Sequence, residues 1–226
     1  MDFKKKILCF IPARKGSARL VNKNLKKING KSLVEITILQ AVKSKIFEDI
    51  ILSSDSKKIL GIGKKFNITC FERTKKNSNN KSTTDSALLE TLYKYKGEYD
   101  FIVLLQVTSP LRKLSTIKSF VNFCLKNNIQ NCLTVSEIND NISHPNKSFF
   151  LPLKKKRQRT QDKKPYLAEN GLIYFFSKYQ FLKHKRIFSG KRWNIFVTNK
   201  YESIDINSKN DYIICRKLSE NNVTKI

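Results

Sequence analysis

The stretch that decides the reading is Ile7-Leu8-Cys9-Phe10-Ile11-Pro12-Ala13-Arg14-Lys15-Gly16-Ser17-Ala18-Arg19-Leu20-Val21-Asn22-Lys23-Asn24-Leu25. Its five leading apolar residues fit a strand buried on both faces of a parallel sheet. Pro12 ends the ladder, because it has no N–H to donate. The following loop places Arg14, Lys15, Arg19 and Lys23 around Gly16 and Ser17, with no acid among them. Cations and free amides beyond the carboxyl end of a first strand suit a polyanion, most simply a nucleotide triphosphate. A solvated basic loop in a Lys-rich chain fits the same residues, and composition alone does not choose between the two. Neither common phosphate loop is present. GxGxxG is missing, and Gly30-Lys31-Ser32 lacks the upstream glycine of a Walker loop, Leu25 standing in its place.

Moving outward, 226 residues with 40% hydrophobic content suit a single globular domain spanning 1–226, with room for one excursion. The net charge of +27 comes mainly from lysines dispersed along the chain, which reads as compositional bias and not as a nucleic-acid face. The one true basic block, 154–159, has no interleaved aromatics for base stacking, so no specific nucleic-acid partner is expected. Five scattered cysteines without a Cys-x-x-Cys pattern point to reduced thiols in a cytoplasm. His144 and His184 are too isolated to make a zinc pattern. The absence of eighteen consecutive apolar residues argues against a membrane span, and the lysines before the first strand argue against a signal peptide.

The rest of the chain alternates. Helices are expected over 32–44, 56–66, 84–95, 115–127 and 208–218, with Ser53-Ser54-Asp55 capping the second. Strands are expected at 50–52, 68–71, 101–105, 131–136, 171–176 and 193–197. This pattern predicts an α/β fold with a doubly wound, mostly parallel sheet and a site along the strand ends. Alternation stops over 139–169, a polar, basic, proline-marked segment that reads as a long inserted loop.

The opening motif, Pro12-Ala13-Arg14-x-Gly16-Ser17 with Lys23-Asn24-Leu25, resembles the cytidylyltransferases that activate 2-keto-3-deoxy sugar acids. It is most similar to the CMP-N-acetylneuraminate (CMP-sialate) synthetase family with its legionaminate and pseudaminate relatives. Gln106-Val107-Thr108-Ser109-Pro110-Leu111-Arg112 resembles that family's Leu-Gln-Pro-Thr-Ser-Pro-Leu-Arg, with Val107 replacing the first proline. Glu169-Asn170-Gly171-x-Ile173-Tyr174 and Ser203-Ile204-Asp205-Ile206-Asn207 are further matches. The resemblance implies a nucleotide-diphospho-sugar transferase-like sheet, with 139–169 as a dimerisation excursion of a homodimer. The implied reaction transfers CMP from CTP to the anomeric hydroxyl of a nonulosonate, for surface polysaccharides. Such a displacement needs positioning and charge neutralisation more than covalent help.

By the same resemblance Arg14, Lys23 and Asp205 carry catalysis. Ala13, Arg14, Lys23, Asn24 and Arg73 hold the nucleotide. Gln106, Thr108, Ser109, Asn170, Tyr174 and Phe188 hold the sugar, and Lys147 reaches into the partner's site. Asp205 and Asn207 bind Mg²⁺, Asn207 standing where many relatives carry a second Asp. Ala168 stands where the family often has an arginine, with Arg159 or Lys164 as nearby substitutes. Asp211 is expected to cap the last helix. Two rivals remain open: a 3-deoxy-manno-octulosonate cytidylyltransferase, and a lapsed enzyme acting as a basic nucleic-acid-binding or scaffold protein. The first is opposed by Gln106–Pro110 because those synthetases carry Gln-Gly-Asp-Glu-Pro there, with a metal-binding Asp that this chain lacks.

Overall fold

The computed structural model describes residues 5–17, 19–78, 82–140, 142–144, 151–152, 159, 164–190 and 192–220. The first strand, β1 (Ile7–Pro12), is followed by a small ribbon of β2 (Lys27–Ile28) and β3 (Lys31–Ser32), then helix α1 (Leu33–Ser44). Next come β4 (Asp49–Ser54), α2 (Lys57–Lys64), β5 (Thr69–Glu72), α3 (Thr84–Lys94), β6 (Phe101–Leu105), α4 (Leu114–Lys126) and β7 (Asn131–Ile138). A second ribbon, β8 (Ser143–His144) with β9 (Leu151–Pro152), precedes β10 (Tyr166–Ser177), α5 (Lys178–His184), β11 (Asn194–Val197) and α6 (Lys209–Glu220).

Seven strands form one sheet in the order β11-β7-β10-β6-β1-β4-β5. β1 lies between β4 and β6, parallel to both, and Leu8, Cys9, Phe10 and Ile11 are fully buried. The apolar run is thus explained by helices on both faces. Ile7, Cys9 and Ile11 join the core formed with α1, α2 and α4, while Leu8 and Phe10 pack with Ala87, Leu88 and Leu92 of α3 and Phe181 of α5. β10 runs antiparallel to both its neighbours, β6 and β7. The sheet is therefore mostly parallel, with one reversed strand near its middle.

Most expected elements are present within one or two residues. The strand expected at 171–176 instead begins at Tyr166, so the long insertion gives way to regular structure earlier than composition suggested. This half of β10 pairs only with the end of β7, and none of Tyr166–Gly171 is buried. α5 is not among the expected elements. Ser56, not the Ser53-Ser54-Asp55 triplet, caps α2 by accepting from the Ile59 N–H. Asn29 and Gly30, both at positive φ, turn the β2–β3 ribbon, and Ser32 forms a capping box with Glu35 at the start of α1. Gly30-Lys31-Ser32 is therefore a hairpin and helix cap, which agrees with its rejection as a phosphate loop.

Candidate active site

The carboxyl ends of β1 and β6 open onto a cleft of about 420 Å³ lined by Pro12, Arg14, Gly16, Ser17, Arg19, Lys23, Asn24, Arg73, Ser82 to Thr84 and Gln106 to Thr108. Two anchors hold the basic loop. The Lys15 N–H donates to Asp55 Oδ1 at 2.6 Å, and Asn24 Nδ2 donates to the Arg14 carbonyl at 2.8 Å. Among the described residues, none of Arg14, Arg19, Lys23 and Arg73 forms an ion pair. Four cations converging on one cleft, with nearby acids such as Asp55 and Asp205 beyond ion-pair distance, repel each other, and an anionic ligand relieves that repulsion. The start of α3 closes another side through Ser82, Thr83 and Thr84, with Thr83 as its N-cap, so the positive end of the helix adds to the field.

Arg73 is buried, and its guanidinium is oriented by Nε to Ser53 Oγ and Nη2 to the Ser53 carbonyl, each at 3.0 Å. Burial pulls it down to about 10, with Asp55 and Glu90 opposing, so it stays charged at neutral pH. Burial likewise lowers Lys23, with Asp205 opposing. Its ammonium donates to the Ile206 carbonyl at 2.7 Å. Ala13 is fully buried and its N–H is committed to the Ser53 carbonyl, so that amide is not available to a base.

Gln106–Arg112 forms the floor, organised by a residue to which the sequence reading gave no role. Arg112 is buried, with Nε donating to the Leu172 carbonyl, Nη1 to Gln40 Oε1 and Nη2 to the Gln106 carbonyl, at 3.1, 3.0 and 2.6 Å. Gln40 in turn donates to the carbonyls of Pro110 and Arg112. This network ties α1, β10 and the motif loop together. Thr108 reaches the cleft, whereas Ser109 is fully buried behind it, its Oγ without a hydrogen-bond partner. The Ser-Pro turn into α4 points Ser109 inward, so the structure does not place it where the sequence reading put it, against the sugar.

A smaller cavity of about 180 Å³ adjoins the cleft, sharing Thr84 and Gln106 with it, and is walled by Asp85, Leu104, Tyr174, Ile187 and Phe188. Tyr174 donates to Glu169 Oε1, and Gln106 Nε2 approaches its hydroxyl at 3.5 Å. Burial, followed by the bond to Glu169, raises Tyr174, so it stays protonated. Phe188 is 50% exposed, meets Tyr174 edge-on and packs against Trp193 at a tilt, with centroids 4.8 Å apart. A core phenylalanine would not leave half its surface open, so this position reads as a pocket wall.

Asn170 sits at a register shift of β10, just before Gly171 at φ +70°. Its amide accepts from Thr134 Oγ1 and the Leu172 N–H, and donates to Ser136 Oγ and Thr198 Oγ1. All four bonding positions are used, so it braces β7, β10 and β11 and presents no spare group to a ligand. A Cβ on Gly171 would meet Gln106 Nε2 at 3.3 Å, which explains the glycine beside the shared wall.

The segment before α6 carries the candidate metal ligands. Glu202 accepts from the Lys113 N–H and Thr116 Oγ1 at the start of α4, and the Ile206 N–H donates to the Thr108 carbonyl. Asp211 accepts from the N–H groups of Asn207 and Ser208, capping α6 as expected. One carboxylate oxygen of Asp205, Oδ2, accepts from Asn207 Nδ2. The other, Oδ1, is buried without a partner. An orphaned hard oxygen is what Mg²⁺ requires from a single carboxylate, phosphates and water completing the shell, so Asp205 fits the ion. Asn207 fits less well as a ligand. Its Oδ1 already accepts from Arg19 at 2.9 Å and from Lys23 at 3.4 Å. No group of three or more His, Cys, Asp or Glu suited to a metal occurs among the described residues. Lys147 and residues 154–158 lie outside the described residues.

The chain is similar to known proteins over most of its length. The "N-acylneuraminate cytidylyltransferase" of Streptococcus agalactiae serotype V is 31% identical over 92% of the chain, which spans 52% of that protein's length. The "CMP-N,N'-diacetyllegionaminic acid synthase" of Legionella pneumophila is 30% identical over 96% of the chain and 97% of that protein. In fold, the chain matches a CMP:2-keto-3-deoxy-manno-octonic acid synthetase complexed with CTP, with TM-score 0.72, 15% identity and coverage of 96% and 99% of the two chains. A 4-diphosphocytidyl-2C-methyl-D-erythritol synthase from Anaerococcus prevotii gives TM-score 0.71 at 14% identity, covering 96% and 100%. The cytidylyltransferase family profile matches residues 8–223, and the chain belongs to that family.

Proposed function

We propose that this chain transfers CMP from CTP to the anomeric hydroxyl of a nonulosonate sugar acid, releasing pyrophosphate. The observation that carries the reading is the cleft of four unpaired cations opening directly into an aromatic-walled annex. Arg14, Arg19, Lys23 and Arg73 hold the triphosphate, while the annex takes the sugar. The sugar's hydroxyl oxygen forms a bond to the α-phosphorus as the bond from that phosphorus to the bridging oxygen breaks. The hydroxyl proton leaves to solvent, and the cations stabilise the charge that grows on the departing pyrophosphate. Asp205 would hold Mg²⁺ through Oδ1, and the ion, when bound, supplies further neutralisation of the phosphates. Gln106 hydrogen-bonds the acceptor at the junction of the two cavities, and Arg112 and Asn170 position rather than touch it.

The product fits surface-glycan synthesis in the cytoplasm by a homodimer, with 139–169 as the dimerising excursion and Lys147 entering the partner's site. Membership of the family supports this, and no described helix is long and apolar enough to cross a membrane. The test is pyrophosphate release with CTP, Mg²⁺ and a panel of N-acetylneuraminate, legionaminate, pseudaminate and 3-deoxy-manno-octulosonate. Release that needs both CTP and one nonulosonate is expected. Binding of DNA in low salt, with neither turnover nor thermal stabilisation by CTP, would instead favour a lapsed enzyme.

A further inference from the structure

Among its described lining residues, the annex contains one charged side chain that the reaction does not use. Asp85 stands in the first turn of α3 and lines the annex beside Leu104, Ile187, Phe188 and Tyr174. Its Oδ1 accepts from the Ile187 N–H at 3.1 Å, which fixes the carboxylate between α3 and the segment carrying Phe188. Among the described residues, Oδ2 accepts no hydrogen bond. Among the described residues no cation lines the annex, whereas four line the adjoining cleft.

This asymmetry orients an acidic acceptor. Its own carboxylate belongs on the cationic side, because placing it beside Asp85 would oppose two like charges in a confined space. The annex therefore takes the far end of the sugar, where Asp85 can only accept a hydrogen bond and the surrounding wall is aliphatic and aromatic. A substituent with an N–H donor next to a small apolar group satisfies both features, and an acylamido group has that composition. We propose that Asp85 is the specificity-determining residue of the acceptor site, selecting nonulosonates by the N–H of an acylamido substituent. This rests on the cytidylyltransferase reading above.

The experiment compares two acceptors that differ only in an N–H replaced by an oxygen: the nonulosonate that turns over, and the same sugar with an O-acyl ester in place of the acylamido group. The ester keeps size and shape but lacks the donor. Wild-type protein should favour the amide by about 10- to 100-fold in kcat/KM, as expected for a hydrogen bond to a charged group. In Asp85→Asn an amide oxygen can still accept from Ile187 N–H, while an NH₂ group replaces the acceptor facing the annex. The preference should collapse toward one, with KM for CTP unchanged. A wild-type ratio near one overturns the assignment without any variant, as does an undiminished ratio in Asp85→Asn. No turnover of any nonulosonate despite CTP binding would contradict the reaction itself, a result distinct from turnover without discrimination.

Discussion

The cleft and the annex are built from different kinds of sequence. Most of the cleft's cations come from a single loop, Arg14 to Lys23, joined by Arg73 after β5, while their orientation also draws on distant partners, Arg19 donating to Asn207 and Lys23 to the Ile206 carbonyl. The annex is assembled from α3, the end of β6, the middle of β10 and the segment after α5, residues separated by more than a hundred positions. The cleft is charged and suits a polyanion, whereas the annex is small and mostly apolar. The difference teaches that the cleft's charge is largely written in one short stretch, while the annex exists only through tertiary packing.

Perturbing the two regions separately should break or sharpen this contrast. The largest effects belong to the cleft: Arg14→Ala and Asp205→Ala should each lower turnover by about 100-fold or more, as for loss of one transition-state charge contact. Steady-state rates together with thermal melts check this, and wild-type turnover in either variant would remove that residue from the mechanism. Phe188→Ala should raise KM for the sugar by about 10-fold while leaving KM for CTP alone, because only the annex wall is lost. A matching rise in KM for CTP would show that the two cavities are not separable.

Asn207→Asp gives a smaller, opposite effect. It removes the N–H that holds Asp205 Oδ2 and adds a second carboxylate, so Mn²⁺ should bind several-fold more tightly, as read by water-proton relaxation. Unchanged affinity would mean that position 207 does not influence the ion. The smallest effect is on pH dependence. Burial lowers Lys23 below the usual lysine range, against the pull of Asp205. A lysine that must be protonated to hold a triphosphate loses its proton as pH rises through that lowered value. Consequently kcat/KM for CTP should fall earlier on the alkaline side than an ordinary lysine allows, and Lys23→Arg should move the fall to higher pH. An identical profile in that variant would assign it to another group.

The sheet was legible because Ile7–Ile11 is apolar at every position, a pattern that helices on both faces require. The reversal of β10 was not, since strand direction leaves no mark on a single strand's composition. In the site, Arg14, Lys23 and Thr108 line the cleft, Tyr174 lines the annex, and Asp205 lies on the segment whose Ile206 carbonyl Lys23 touches. Ser109 and Asn170 belong to the same motifs but face inward or spend every polar group on neighbouring strands, so those matches reflect architecture. Arg112 was visible as a motif residue, yet its burial among carbonyls depends on α1 and β10, which sequence spacing cannot place. Asp85 had no local signal beyond lying in the first turn of a helix, because its meaning comes from Ile187 and Phe188 a hundred residues away.

The central claim is that the bond made joins the sugar's anomeric oxygen to the α-phosphorus of CTP. It is tested most directly by NMR with a nonulosonate enriched in ¹³C at its anomeric carbon. With CTP and Mg²⁺, the account predicts that this resonance shifts and becomes split by ³¹P in step with the appearance of pyrophosphate. Pyrophosphate and free CMP accumulating while the anomeric signal stays unsplit would contradict it, showing a nucleotide hydrolase built on the same cleft.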